Sequence, residues 1–234
     1  MSALREIYRR DGFAACGRIF DDDSFAAIRA RIEELLEGDT ERMLNWHVRV
    51  PWLLELALRA EIVDRVAELL GPDVALFNTR ILCKPPHGER DVGWHQDVPY
   101  WPLEPPVVTT FWLAVDEATE ANGAMRMLPG AHRAGALEHA PAANDVFGEA
   151  IPARLIDESR AVRMTLAAGE CSFHDGFVPH ASPPNRTARR RCAFIARYIP
   201  TSARLDRSRR ELYGHDYPLY WVRGDPGRNR YVNR

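Results

Sequence analysis

A chain of 234 residues that is 46% hydrophobic and 27% charged has the size and balance of one globular domain with a substantial core. Its net charge of −2 gives no global field to recruit nucleic acid or an anionic membrane. No apolar run approaches the roughly 20 residues of a membrane span, and Met1-Ser2-Ala3-Leu4-Arg5-Glu6 lacks the apolar core of a secretory signal.

Cys16, Cys83, Cys171 and Cys192 are scattered, with no CxxC pair. That spacing predicts reduced core thiols in a cytoplasmic protein rather than a disulfide frame or a zinc knuckle. Basic residues are nearly all arginine, and Lys84 is the sole lysine.

The N-terminal part, about residues 1–72, reads as helical. Asp21-Asp22-Asp23-Ser24 caps a helix whose apolar face is Phe25, Ile28, Ile32, Leu35 and Leu36, with Gly38 as its stop. A second helix carries Ile62, Val63, Val66, Leu69 and Leu70 and ends at Gly71-Pro72. Between them, Asn45 to Trp52 is aromatic and irregular, which suits a pocket wall.

From residue 73 to about 200 the texture is that of a β core. Val74–Cys83, Gly93–Asp97 and Val107–Val115 read as strands. Asn122-Gly123 predicts a turn, with Ala124–Leu128 as the return strand. Residues 131–159 are polar and weakly patterned, the signature of a lid or binding loop. Strands resume near Val162, at Cys171–His174 and at Arg191–Ile199. A tail over 201–234 carries Tyr217-Pro218-Leu219-Tyr220-Trp221. The whole predicts one α+β domain with helices packed on a β-sandwich or barrel.

The chemistry concentrates at Trp94-His95-Gln96-Asp97 and at His180. On a strand, side chains alternate with period two, so His95 and Asp97 share a face. Two histidines and one carboxylate form the facial triad that holds non-haem Fe(II) with positions left open. An arginine such as Arg191 can fork onto the far carboxylate of a dicarboxylate co-substrate. The adjacent pair His174-Asp175 points to opposite faces of a strand and reads as structural.

Several runs together resemble the phytanoyl-CoA dioxygenase family. They are Tyr8-Arg9-Arg10-Asp11-Gly12-Phe13, Lys84-Pro85-Pro86, Trp94-His95-Gln96-Asp97, Phe111-Trp112-Leu113-Ala114-Val115, Asn122-Gly123-Ala124-Met125, Leu128-Pro129-Gly130-Ala131-His132, and His180-Ala181-Ser182-Pro183-Pro184-Asn185-Arg186 through to Arg191. The resemblance implies a double-stranded β-helix (a cupin-like jelly roll) that uses Fe(II), 2-oxoglutarate and O₂. By position it makes His95, Asp97 and His180 the iron ligands and Arg191 the co-substrate clamp. Ser182, Trp112 and Arg80 follow as further co-substrate contacts, and Gln96, whose side chain should point away from the metal, as a second-tier one. Arg189 and Arg190 compete with Arg191 for the clamp, because three arginines stand in a row.

The implied activity is oxidation, by default hydroxylation, of a C–H bond in a small or medium-sized metabolite, as in natural-product biosynthesis. Asp97 fills the position that a glycine or alanine leaves to halide in related halogenases, which favours hydroxylation over chlorination. Trp46–Trp52, Tyr100-Trp101, the 131–159 segment and the tail aromatics are the expected specificity elements. The expected partner is a small-molecule substrate, with no nucleic acid and no membrane; oligomeric state is left open. A metal-dependent hydrolase or isomerase, or a small-molecule binding module on the same fold, is the alternative.

Overall fold

The computed structural model describes residues 2–37, 42–142 and 148–232. The chain starts with α1 (Ala3–Asp11), β1 (Phe13–Arg18), α2 (Asp22–Leu36), β2 (Arg42–Leu44), α3 (Pro51–Ala57) and α4 (Ala60–Leu70). It continues through β3 (Val74–Lys84), β4 (Val92–His95), β5 (Leu103–Glu104), β6 (Thr109–Ala114), β7 (Met125–Met127), β8 (Ala140–Pro141) and β9 (Glu149–Ala150). It closes with β10 (Val162–Met164), β11 (Glu170–Asp175), β12 (His180–Ser182), β13 (Arg191–Pro200), β14 (Arg204–Leu205) and β15 (Tyr220–Arg223).

Two antiparallel sheets carry the site. The larger runs β1-β11-β6-β13-β3-β15, with β2 also on β3, and the smaller runs β10-β7-β12-β4. Facing sheets of this kind are the jelly roll that the sequence predicts. Period-two alternation in the larger sheet divides labour between its faces. Phe111, Leu113, Phe173, Phe194 and Tyr198 point outward and pack with Ile28, Ile32, Ile62 and Val66 of the helices. Trp112, Ala114, Ala193 and Ile195 point inward to meet Met125 and Met127 of the smaller sheet. Each fully buried large apolar side chain contributes on the order of 1.5–3 kcal/mol. The central strand β13 is buried along nearly its whole length, so even the polar residues on its inner face are committed to the interior.

The helix caps form as the sequence predicts. The Asp21 side chain accepts from the Ser24 N–H at 2.7 Å, and Gly71 ends α4. Gly38, the expected stop of α2, lies outside the described residues.

Three expectations give way. The N-terminal part is not purely helical, because β1 adds to the edge of the large sheet against β11. The run Ala124–Leu128 is not a hairpin partner of β6. Its strand β7 pairs with β10 and β12 in the opposite sheet. The connection carries a capping box between Thr119 and Asn122, with Gly123 left-handed at φ 88°, and it carries the chain from one sheet to the other. Trp46–Trp52 walls no described part of the site. It forms a short 3₁₀ turn leading into α3, and Trp46, Val50 and Trp52 pack on the helix-side core.

The tail folds back onto the large sheet, with Tyr220 opposite Leu76 and the Tyr217 ring tilted against Phe77 at a centroid distance of 5.4 Å. The four cysteines are all thiols. Cys83 and Cys192 stand opposite each other across β3 and β13.

Candidate metal and co-substrate site

His95 closes β4, and His180, opening β12, is its partner in register. The two imidazole centroids are 4.1 Å apart. Asp97 joins them by a different route from the one the alternation predicts. The strand stops at His95, and Asp97 has helical φ −72° and ψ −45° at the head of a 3₁₀ turn over Val98–Tyr100. The cause lies far along the chain. The Gly176 carbonyl accepts from the N–H groups of both Asp97 and Val98, at 3.0 and 3.1 Å. A Cβ on Gly176 would come within 2.1 Å of the Val98 side chain, so only glycine lets the two segments meet this closely.

One ligand atom from each of His95, Asp97 and His180 lies within 4.8 Å of the others, and all three residues are buried. Each histidine turns Nδ1 to a backbone carbonyl, His95 to Gly93 at 2.9 Å and His180 to Val178 at 3.0 Å. A carbonyl can only accept, so Nδ1 carries a proton on both rings, which turns Nε2 toward the cluster as the nitrogen available to a metal. Burial, with His95 and His174 adding, holds His180 well below the ordinary imidazole range, so it is neutral. Burial opposes the charge on Asp97, but the Arg197 guanidinium and the nearby imidazoles hold its carboxyl well below the usual carboxylate range. Two imidazole nitrogens and one anionic oxygen, with each Nδ1 already engaged by backbone, fit Fe(II).

The inner face of β13 supplies Arg191, which is 1% exposed. Its Nη2 donates to the Ser182 hydroxyl at 2.9 Å and to the Gly123 carbonyl at 3.2 Å. Its guanidinium lies 5.7 Å from the Trp112 ring centre. The Nε of Arg191 is buried without an acceptor, and among the described residues no carboxylate pairs with it. Burial pulls its pKa down to about 10. A buried, incompletely satisfied guanidinium at the end of a cavity suits the far carboxylate of 2-oxoglutarate.

The neighbouring arginines face elsewhere. Arg190 forks onto Glu33 at 2.7 and 2.8 Å and reaches Asp116 at 2.9 Å, while exposed Arg189 pairs with Glu117. The triple-arginine ambiguity thus narrows to one inward side chain.

The other expected contacts divide. Ser182, Trp112 and Arg80 line the same cavity as the three metal-ligand candidates. The Ser182 hydroxyl donates to Gly123 at 2.9 Å, so its role here is to seat Arg191. Gln96 is a correction. Its amide nitrogen donates to the Gly135 and Phe177 carbonyls at 2.8 and 2.7 Å, and its oxygen accepts from Leu137 N–H at 2.7 Å. That amide is spent on backbone and lies off the cavity wall, because its neighbours in the chain, His95 and Asp97, take the inward direction. It ties down the 131–159 segment. Trp94, on β4, helps by its carbonyl, which accepts from Ile151 N–H at 2.7 Å, and by its indole N–H, which donates to Glu158 at 3.0 Å. Residues 143–147 of that segment lie outside the described residues.

Three cavity residues around the Asp97 carboxylate are not among the expected site residues. Arg197 donates to Asp97 at 3.1 Å, Thr110 reaches the same carboxylate at 3.4 Å, and His174 Nε2 is 3.7 Å from it. Arg197 was accessible by alternation, since Arg191, Ala193, Ile195 and Arg197 share one face of β13. His174 does face away from Asp175, as expected, but its inward face is the site.

Lys84 sits beside this site, opposite Arg191 in register. Its amine donates to the carbonyls of Ser182 at 2.6 Å, Arg90 at 3.0 Å and Pro183. Burial and the nearby Arg191 guanidinium pull its pKa down to about 7.

A jelly roll whose inner face gathers a His-x-Asp…His cluster and a buried arginine defines the non-haem iron oxygenase class of site. Residues 8–193 match the phytanoyl-CoA dioxygenase (PhyH) family, and the chain belongs to that family. A probable alpha-ketoglutarate-dependent hypophosphite dioxygenase of Stutzerimonas stutzeri is 30% identical over 178 residues, 73% of this chain and 62% of that protein. L-proline trans-4-hydroxylase of Streptomyces griseoviridis is 26% identical over 233 residues, 82% of this chain and 83% of its own length. The chain spans only about half of the Streptomyces avermitilis ectoine dioxygenase that it also matches. Among solved structures, the apo non-heme monooxygenase ThoJ superposes with a TM-score of 0.76 at 30% identity, over 96% of this chain and 85% of ThoJ. The epimerase SnoN, solved with Fe3+ and alpha ketoglutarate, shares the fold with a TM-score of 0.75 at 20% identity, over 86% of this chain and 84% of SnoN. Among the described residues no helix is long and apolar enough to cross a membrane.

Proposed function

We propose that this protein is an Fe(II)- and 2-oxoglutarate-dependent oxygenase that oxidises, by default hydroxylates, a C–H bond of a small or medium-sized metabolite. The observation that carries the reading is the joint placement of the His95, Asp97 and His180 ligand atoms and the buried, carboxylate-free Arg191 in one cavity. The pairing favours an oxygenase, because a pure binding module has no need of an open metal-ligand cluster beside its carboxylate receptor.

His95, Asp97 and His180 hold the metal, and Arg191 binds the far carboxylate of 2-oxoglutarate through parallel hydrogen bonds that lysine could not reproduce. Ser182 and the Trp112 ring fix the guanidinium in place. When bound, the iron and 2-oxoglutarate supply the oxidant from O₂, with succinate and CO₂ as co-products. The chain's own part is to orient the substrate C–H and exclude water, and the buried cavity walls serve both. The hypophosphite and proline relatives act on small polar molecules, which supports a small polar substrate here. The free thiols support a reducing, cytoplasmic setting.

The test is an anaerobic titration with Fe(II) and 2-oxoglutarate, followed by exposure to air. A weak visible charge-transfer band and 2-oxoglutarate-dependent succinate are expected. A protein that binds neither and forms no succinate is not an oxygenase.

A further inference from the structure

Asp97 has two oxygens, and the fold treats them differently. Oδ1 faces the metal-ligand cluster, 4.0 Å from His95 Nε2. Oδ2 faces the large sheet, where Arg197 Nε donates to it at 3.1 Å. Arg197 Nη2 also reaches Oδ1, at a weaker 3.4 Å. Thr110 at 3.4 Å is at the margin of hydrogen bonding and His174 at 3.7 Å is beyond it, so the charged Arg197 bond dominates. Arg197 is itself fixed. Its Nη1 donates to Asn78 at 3.1 Å, its guanidinium lies 5.1 Å from the Trp101 ring centre, and it is 8% exposed. A guanidinium held on three sides has little freedom to release the oxygen it grips.

We propose that Arg197 is a positioning residue that occupies Oδ2 of Asp97 and so restricts this carboxylate to one-oxygen binding of the metal. The inference rests on the iron-site reading above. A carboxylate that chelates with both oxygens takes a further coordination position. 2-Oxoglutarate needs two of the open positions and O₂ the last, so a chelating Asp97 would spare the co-substrate and block the oxidant.

Mn(II), a redox-silent stand-in with octahedral preference, allows bound waters to be counted by line broadening in ¹⁷O-water. Wild-type protein is expected to hold about three waters on Mn(II), and Arg197→Ala about two. On adding 2-oxoglutarate, the Kd should stay within about threefold of wild type while kcat for succinate falls at least about tenfold, a kcat effect with KM spared. A role in packing alone would change thermal stability and leave the water count at its wild-type value. Should Arg197→Ala fail to fold, Arg197→Lys keeps the charge without the fork and is again expected to hold fewer waters than wild type. The double variant Arg197→Ala/His174→Ala checks whether the imidazole, rather than the carboxylate, fills the position; about two waters are expected, and about three would overturn the proposal. An unchanged water count in the single variants would overturn it equally. Wild-type protein that binds no Mn(II) would instead refute the metal site itself, so the two failures are distinct.

Discussion

Arg191 and Arg197 project from the same face of the same strand, are nearly equally buried, and differ in what they touch. Arg197 is matched by a carboxylate of the protein, Asp97. Among the described residues Arg191 is matched only by a hydroxyl, a carbonyl and the Trp112 ring. Burying a guanidinium costs several kcal/mol unless an anion answers it. At one end of the cavity the chain supplies that anion itself, and the arginine becomes part of a fixed frame. At the other end the chain withholds it, and the arginine becomes a receptor. The same residue type on one strand is therefore structural or ligand-binding according to its partner.

The harshest way to break the contrast is to make the Arg197 end resemble the Arg191 end. Asp97→Ala removes a metal-ligand candidate and leaves Arg197 buried without its counter-charge. Iron-dependent succinate formation should fall by more than about 100-fold, and stability in chloride-free buffer by about 3–5 kcal/mol. Chloride should recover part of that stability, because an anion can enter beside the bare guanidinium. Urea unfolding in chloride and in gluconate at equal ionic strength reads this directly. A variant as stable as wild type in both would mean that the Asp97–Arg197 pair is not the frame described.

The converse experiment removes the receptor. Arg191→Ala should weaken 2-oxoglutarate binding roughly 10- to 100-fold, the worth of one set of charge-assisted bonds, with metal affinity unchanged. Arg190→Ala, which cuts only the contacts to Glu33 and Asp116, should leave 2-oxoglutarate affinity alone. Isothermal titration on both separates the inward arginine from its outward neighbour, and equal losses would erase the distinction.

A smaller effect should come from Gly176→Ala. The added Cβ meets Val98 and should displace Asp97 relative to both arginines. Metal affinity is expected to drop about tenfold, measured by competition with a chromogenic chelator.

Much of this site was legible because its chemistry is local. His95, Asp97, His180 and Arg191 stand in short, recognisable runs, and the alternating apolar pattern put the strands nearly where they lie. What the sequence hid depended on distant partners. Asp97 was expected on a strand, and it is a remote carbonyl, that of Gly176, that turns it into a 3₁₀ segment. Ala124–Leu128 looked like a return strand because local turn chemistry cannot say which sheet receives it. Gln96 was carried along by its neighbours, and only the folded loop shows its amide spent on backbone. Arg197 was within reach of the alternation rule, but a strand read for its motif at Arg191 gave no reason to follow the same face to its other end.

The gentlest probe of the two ends is pH. Asp97 titrates well below neutrality, so the Arg197 end contributes the same stability at pH 7 and pH 9. The Arg191 end includes Lys84, which burial and Arg191 pull down to about 7. A lysine titrating lower in the folded than in the unfolded chain makes the unfolded chain bind more protons between about 7 and 10.4, so folding stability rises with pH across that window. Because three carbonyls accept from the amine and favour its charged form, the gain should be modest, about 1–2 kcal/mol between pH 7 and pH 9. Urea midpoints at the two pH values measure it, and Lys84→Met should flatten the slope. A slope that survives in Lys84→Met would assign the titration to another group and leave the two ends alike in their response to protons.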